Sequence, residues 1–436
     1  MDRSSNRASE LLTAARQAQQ RGRPDIAEKH YEEILRIDPD HDEALGFVGT
    51  RMALRGNHPA ALRLLKHAAE LNPDMALAQE GLGIVWVRTG HCDAAVQALS
   101  AAVAAEPHRH VARLFLGHAL DAIGQPRAAA VAYHRAITEA QKRGLWISTN
   151  STAPFLLDDV KRAIEYVRRT RRQIIDDALS EIRKRHGSAA LARVEQCVAT
   201  YLGEHVIIPN DPRQRPKALF FPGLPTTPYL SREMFPWVSA LEEATSAIHD
   251  ELITVLAEQA KGFEPFLGTN TGVSLNGYLQ NDRAEEPVWD AFFFYRHGLR
   301  WDENHRRCPT TSALLDSSPL AHIRDHAPEV CFSLLTPGTH ILPHHGDTNT
   351  RVVLHLPLIV PRGCALNVGG EIHEWRVGEI VAFDDTFEHE AWNRGEALRV
   401  VLILDAWNPH LTDAEREALT AMVPVLGDFD RECSRV

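Results

Sequence analysis

Glycines 22, 56, 90 and 124 recur every 34 residues. Ala27, Ala61, Ala95 and Ala129 keep the same step, as do Pro39, Pro73 and Pro107, and Ala44, Ala78 and Ala112. One further column stays small (Ala15, Gly49, Gly83, Gly117) and another stays large and apolar (Tyr31, Leu65, Leu99, Tyr133). Columns that agree in phase mark stacked units, none of which can bury its apolar face alone. Small residues let two helices approach closely, the glycine turns the chain between them, and the proline stops the second helix. The units fall at 8–41, 42–75, 76–109 and 110–143, and the last carries Gln141 where the others have proline.

A 34-residue period with its columns in this order resembles the tetratricopeptide repeat. That implies an all-α tetratricopeptide-like solenoid over residues 1–143, with a concave face suited to a peptide or protein partner. A scaffold or dimerisation arm without a ligand is the alternative. Repeats carry no chemistry, so any catalysis must come from the rest of the chain.

The balance of 47 basic and 58 acidic residues gives a formal charge of −11. A net acidic chain argues against nucleic acid as the main partner, because phosphate contacts need a basic face. No stretch approaches the roughly 18 apolar residues of a membrane span, and the polar start lacks the apolar run of a signal peptide. The six cysteines are dispersed and form no CxxC. A disulfide framework or zinc ribbon is therefore not expected, and a reducing, cytoplasmic setting fits.

Residues 144–208 form a helical bridge in this reading, with Val160, Ile164, Val167, Ile174, Ala178 and Ile182 near helical spacing. The run Arg168, Arg169, Arg171, Arg172 reads as a solvated face. Three prolines among residues 209–217 mark a linker, and a second domain is expected over 209–436. There, 218–221 reads as a short strand and 231–258 as helix. Apolar runs at 289–295, 330–335, 351–360, 379–383 and 398–407, separated by turn signals, suggest a β-sandwich or barrel.

Two histidine clusters sit in this β region, at 336–351 and 383–392. His344 and His389 lie 389 − 344 = 45 residues apart. In a jelly roll that span allows about four strands and returns the chain to the same end. Imidazole suits iron, and a two-histidine site with open positions suits an oxygen-activating Fe(II) centre. His345-Gly346-Asp347 is itself an HxD motif, which with His389 would make the common two-histidine, one-carboxylate triad. The pattern alone leaves His344 and His345 both open.

Six segments then carry a resemblance: ThrProGlyThrHis (336–340), ProHisHisGly (343–346), ThrAsnThrArg (348–351), HisLeuProLeuIleValPro (355–361), PheAspAspThrPheGluHisGlu (383–390) and ArgValValLeuIleLeuAspAlaTrpAsnPro (399–409). In order and spacing, residues from about 218 to 410 resemble the aspartyl/asparaginyl β-hydroxylase family, whose layout also includes a repeat-bearing front half. The resemblance implies a double-stranded β-helix (jelly roll) with flanking helices that binds Fe(II) and 2-oxoglutarate. It assigns His344 and His389 as the metal ligands and leaves Gly346 where the usual carboxylate would stand. It assigns Arg399, helped by Ser333, to the far carboxylate of the co-substrate, and His355 to the near one. An arginine of the animal members is replaced here by Val353. Arg351, two residues back and on the same face of a strand, could substitute. The membrane anchor of those animal members is absent, so an endoplasmic-reticulum role is not implied.

Several residues keep two readings. Asp347 is a turn residue or a contact for metal-bound water. Asp384 and Asp385 either orient the His389 imidazole or shape a turn. Trp375, Trp392 and Trp407 read as core, and Cys308 and Cys331 as buried free thiols. The expected activity is a dioxygenase that consumes dioxygen and 2-oxoglutarate and hydroxylates an unactivated carbon. By resemblance this is the β-carbon of an Asp or Asn residue in a peptide or protein, with the repeat groove as the place that could hold it. The alternatives are a repeat adaptor with an inactive barrel, and a halogenase using the open metal position.

Overall fold

The computed structural model describes residues 3–258, 262–267, 277–281 and 286–434. They fall into two compact units, 1–173 with 428–436, and 174–427.

The first unit is a tetratricopeptide-like solenoid. Its helices are α1 (Arg3–Gln20), α2 (Pro24–Ile37), α3 (Asp42–Leu54), α4 (His58–Leu71), α5 (Ala76–Arg88), α6 (Cys92–Ala105), α7 (His110–Ala122) and α8 (Pro126–Lys142). Gly22, Gly56, Gly90 and Gly124 turn each pair with φ between 68° and 87°, a conformation that costs a glycine little. The small and large columns meet each other. A Cβ on Gly83 would sit 2.3 Å from Leu99, and one on Gly117 2.4 Å from the Tyr133 ring. The glycines are therefore what lets paired helices approach.

The face lined by α3, α5 and α7 carries the chain's own following segment, which enters α9 (Leu157–His186). The Arg51 guanidinium lies 5.4 Å over the Phe155 ring. Asp159 accepts a hydrogen bond from Arg88 and lies 3.2 Å from His118 Nε2. The Tyr166 hydroxyl donates to Asp121 at 2.8 Å. Val160 and Ala163 are buried between these contacts.

The second unit adds α10 (Ala192–Tyr201), α11 (Val238–Glu243), α12 (Thr245–Ala257), α13 (Asp302–Arg307), α14 (Pro309–Ser317) and α15 (Asp413–Ser434), whose last residues, from 428, belong to the first unit. Its strands are β1 (Tyr229–Leu230), β2 (Phe263–Pro265), β3 (Leu279–Asn281), β4 (Trp289–Arg296), β5 (Leu299–Arg300), β6 (Val330–Leu335), β7 (Thr339–His344), β8 (Arg351–Ile359), β9 (Cys364–Val368), β10 (Glu371–His373), β11 (Val381–Phe383), β12 (His389–Asn393) and β13 (Arg399–Trp407). An eight-stranded sheet runs β1-β11-β8-β13-β6-β4-β2, with β5 on β4, and a five-stranded sheet runs β10-β9-β12-β7-β3. These two antiparallel sheets make the double-stranded β-helix. Residues 218–221, expected as a strand, contribute only the bridge Leu219↔Thr348.

Alternation along the large sheet decides what faces the interior. Phe292, Phe294, Leu354, Leu402 and Leu404 turn outward onto α11, α12 and α14. Ala291, Phe293, Cys331, Val401 and Ile403 turn inward toward Ile341, Leu366 and Phe387. Ser333, Arg351, His355 and Arg399 share the parity of the inward set, so the strands themselves aim these polar groups between the sheets. Cys308 and Cys331 are free and buried, and Trp375 is core.

Candidate metal centre

β7 and β12 pair antiparallel with His344 directly opposite His389. Their ring centroids are 4.1 Å apart. Each imidazole Nδ1–H donates to a carbonyl two residues back, His344 to Leu342 at 2.8 Å and His389 to Phe387 at 3.0 Å. A carbonyl can only accept, so both rings hold the tautomer that leaves Nε2 with a free lone pair for a metal. Burial lowers the pKa of His344. Burial, with His344 beside it, pushes His389 down to about 3. The Asp384 carboxylate turns away from the His389 ring, and Asp385 meets that ring through its backbone. Asp384 instead accepts from the Thr386 amide at 2.9 Å and the Gln214 side chain at 2.6 Å, which shapes the turn before β12.

Asp385 has a different place. The Gly346 amide donates to the Asp385 carbonyl at 2.6 Å, which ties the loop after β7 to the loop before β12. A Cβ on Gly346 would lie 2.1 Å from the Asp385 carboxylate. The carboxylate thus fills the space a side chain at 346 would need. Burial, with Asp384 nearby, raises its pKa well above the usual range. Among the described residues, no cluster of three or more His, Cys, Asp or Glu is arranged to hold a metal. His345 follows the end of β7 and lines the same cavity, but makes no ring contact with His389 among the described residues.

That cavity, of about 420 Å³, also reaches Ser333, Arg351, His355, Arg399 and Asp347. Arg399 is 1% exposed. Its Nη1 donates weakly to the Ser333 carbonyl at 3.3 Å and hydroxyl at 3.4 Å, and its Nε has no partner. The guanidinium lies 5.1 Å over the Trp375 ring. No carboxylate reaches it among the described residues, and burial lowers its pKa to about 10. The Ser333 oxygen accepts from Trp289 Nε1 at 3.0 Å, which leaves its own O–H to donate. His355 sits between Trp375 and Phe383, and its buried Nδ1 is unpaired. Arg351 lies in the cavity wall but is ion-paired with Asp405, which also accepts from the Glu329 amide at 3.1 Å. Val353 lines the wall beside it.

Two features were missed by sequence reasoning. One is the Gly346–Asp385 fit, for which the motif gave only the bare glycine. The other is the stretch 209–217, which lies against both histidine loops.

The aspartyl/asparaginyl β-hydroxylase family model matches residues 242–409. The chain is 34% identical over 247 residues to human aspartate β-hydroxylase domain-containing protein 2, covering 55% of this chain and 63% of that protein. The mouse counterpart is also 34% identical and is covered over 68% of its length. This chain thus spans about two thirds of those relatives. Human aspartyl/asparaginyl β-hydroxylase is 32% identical over 42% of this chain and 23% of its own length. The ornithine lipid ester-linked acyl 2-hydroxylase of Rhizobium tropici is 32% identical over 42% of this chain and 61% of its own.

Proposed function

This chain belongs to the aspartyl/asparaginyl β-hydroxylase family, and from that membership we propose that it is an Fe(II)- and 2-oxoglutarate-dependent dioxygenase that hydroxylates an unactivated carbon. One observation carries the reading: two imidazoles with free Nε2 atoms share a cavity with a fully buried arginine that no carboxylate reaches among the described residues. A buried cation without a counter-ion is costly unless a ligand supplies one.

The residues fit the two groups. His344 and His389 would hold the metal through Nε2, each ring fixed by its backbone carbonyl. Bound there, Fe(II) with dioxygen and 2-oxoglutarate would replace C–H by C–OH while succinate and carbon dioxide leave. The Arg399 fork and the Ser333 hydroxyl would clamp one carboxylate of the co-substrate. His355, neutral through burial, would face the other end with its unpaired Nδ1. Asp385, drawn over Gly346, would wall this side of the cavity. Arg351, neutralised by Asp405, is less suited to a second clamp than the sequence suggested.

The target we favour is the β-carbon of an Asp or Asn residue in a peptide or protein. The Rhizobium relative's name places acyl chains in the same assay panel. No described helix is long and apolar enough to cross a membrane, and a cytoplasmic enzyme acting on neither nucleic acid nor membrane remains our reading. A halogenase is the alternative use of the same open position, and a chlorinated product from chloride and substrate would reveal it. The test is succinate release from 2-oxoglutarate with Fe(II), scored against peptides and acyl lipids. Substrate-stimulated release supports the reading. Its absence across the panel, with metal bound, would favour a repeat adaptor with an inactive barrel.

A further inference from the structure

We propose that the proline-rich stretch 209–219 belongs to the metal centre as a strap, and that Gln214 is a positioning residue for the His389 loop. This rests on the reading of His344 and His389 as the metal ligands.

The strap touches both loops at their backbones. The Arg215 amide donates to the Thr386 carbonyl at 2.7 Å, three residues before His389. The Lys217 amide donates to the Gly346 carbonyl at 3.0 Å, two residues after His344. Pro212 and Pro216 restrict the backbone and donate nothing, so the amides between and after them are the donors available for this purpose.

Gln214 is the one polar side chain of the strap that is buried, at 1% exposure; the apolar Leu219 is the other buried residue. Its Nε2 donates to Asp384 Oδ2 at 2.6 Å, while Asp384 Oδ1 holds the Thr386 amide at 2.9 Å. Its Oε1 is buried without a partner. Flipping the amide would set oxygen against carboxylate, so the orientation is fixed by the one bond it makes. An amide kept in the interior with half its capacity unused is retained for its donor. The consequence is a chain of contacts from Gln214 through Asp384 and Thr386 to the turn that aims His389. Groups hydrogen-bonded directly to metal ligands set ligand orientation, and losing one weakens metal binding about 10–100-fold; Gln214 acts through two further contacts, which points to the low end of that range.

The experiment is a Co(II) titration of the full chain, followed by visible absorption, with thermal unfolding measured on the same samples. Q214M keeps the length of the side chain and removes the donor. The expected result is about tenfold or greater weakening of Co(II) binding in folded protein, with R215A binding as wild type because the donor at 215 is the main-chain amide. D384N should keep near-wild-type affinity, since the Gln214 amide can flip and accept from the new Nδ2, whereas D384A should not. A merely structural strap would lower the unfolding midpoint and leave affinity unchanged in Q214M, and that result overturns the proposal. Should Q214M fail to fold, Q214N retains the amide one methylene short of Asp384, and the same weakening is expected. Unchanged affinity in Q214N overturns the proposal. Absence of Co(II) binding by the wild type would instead overturn the histidine-pair reading, and the proposal with it.

Discussion

Replacing Gly346 by alanine tests the feature that distinguishes this centre from a three-ligand site. Gly346 does not adopt a left-handed φ, so a side chain there is excluded by space and not by conformation. The added Cβ would start 2.1 Å from the Asp385 carboxylate, well inside contact distance. The Asp385 carboxylate is buried, so it must be repacked in the cavity wall or the loop before β12, tied through its carbonyl to the Gly346 amide at 2.6 Å, must move. Overpacking of this kind costs about 1–3 kcal/mol. For a unit of this size that is about 2–12 °C in the unfolding midpoint, at roughly 2–4 °C per kcal/mol. Tryptophan fluorescence reports mainly on the unit concerned, since Trp237, Trp289, Trp301, Trp375, Trp392 and Trp407 lie within 174–427, six of the eight in the chain. G346A should melt lower and bind Co(II) more weakly. G346A/D385A should regain part of the lost stability, with a coupling of about 0.5–3 kcal/mol. An unchanged midpoint and unchanged affinity in G346A would refute the claim that Asp385 fills that space.

Three further outcomes follow from the same contacts. R399M should leave the apo-protein at least as stable as wild type, because it removes a buried charge that has no counter-ion among the described residues. It should also abolish the roughly 2.7 kcal/mol of stabilisation that 2-oxoglutarate gives at 100 times its Kd under nitrogen, and a large loss of apo stability would show the guanidinium to be structurally paired. D159A should cost about 1–3 kcal/mol by leaving Arg88 and His118 without their acceptor. Hydrogen exchange should show lost protection over 155–166, and unchanged protection would contradict the seating of that segment on α3, α5 and α7. Burial, with Arg143 nearby, lowers His110 to about 4 from an ordinary 6.5, so the folded state resists protonation there. Its contribution is therefore full above pH 6.5 and is lost as pH falls toward 4, with a slope of at most about 1.4 kcal/mol per pH unit; urea titrations of wild type and H110N that show the same slope would contradict this.

The repeats were legible because their determinant is local. A 34-residue step forces Gly49, Gly83 and Gly117 against Leu65, Leu99 and Tyr133, and each column lies within one helix pair. The long strands β4, β6, β8 and β13 were legible from their apolar runs, and their period-two alternation carries Ser333, His355 and Arg399 inward without further information. What escaped lies in contacts across the chain. Asp385 meets Gly346 only after two loops are brought together by the pairing of β7 with β12. Residues 209–217 looked like a linker because proline removes donors. Their remaining amides find acceptors at Gly346 and Thr386, more than a hundred residues away. Asp159 carries no signal in the sequence, and its partners on α5 and α7 are set by tertiary packing alone.

The account stands on two imidazoles holding one ferrous ion with no acidic side chain completing the set. An anaerobic Fe(II) titration in the presence of 2-oxoglutarate, read by visible charge-transfer absorption in wild type, H344A, H389A, H345A and D347N, addresses it directly. One metal per chain, lost in H344A and H389A and kept in H345A and D347N, is the predicted result. Loss of the band in H345A or D347N, with retention in H344A, would contradict it.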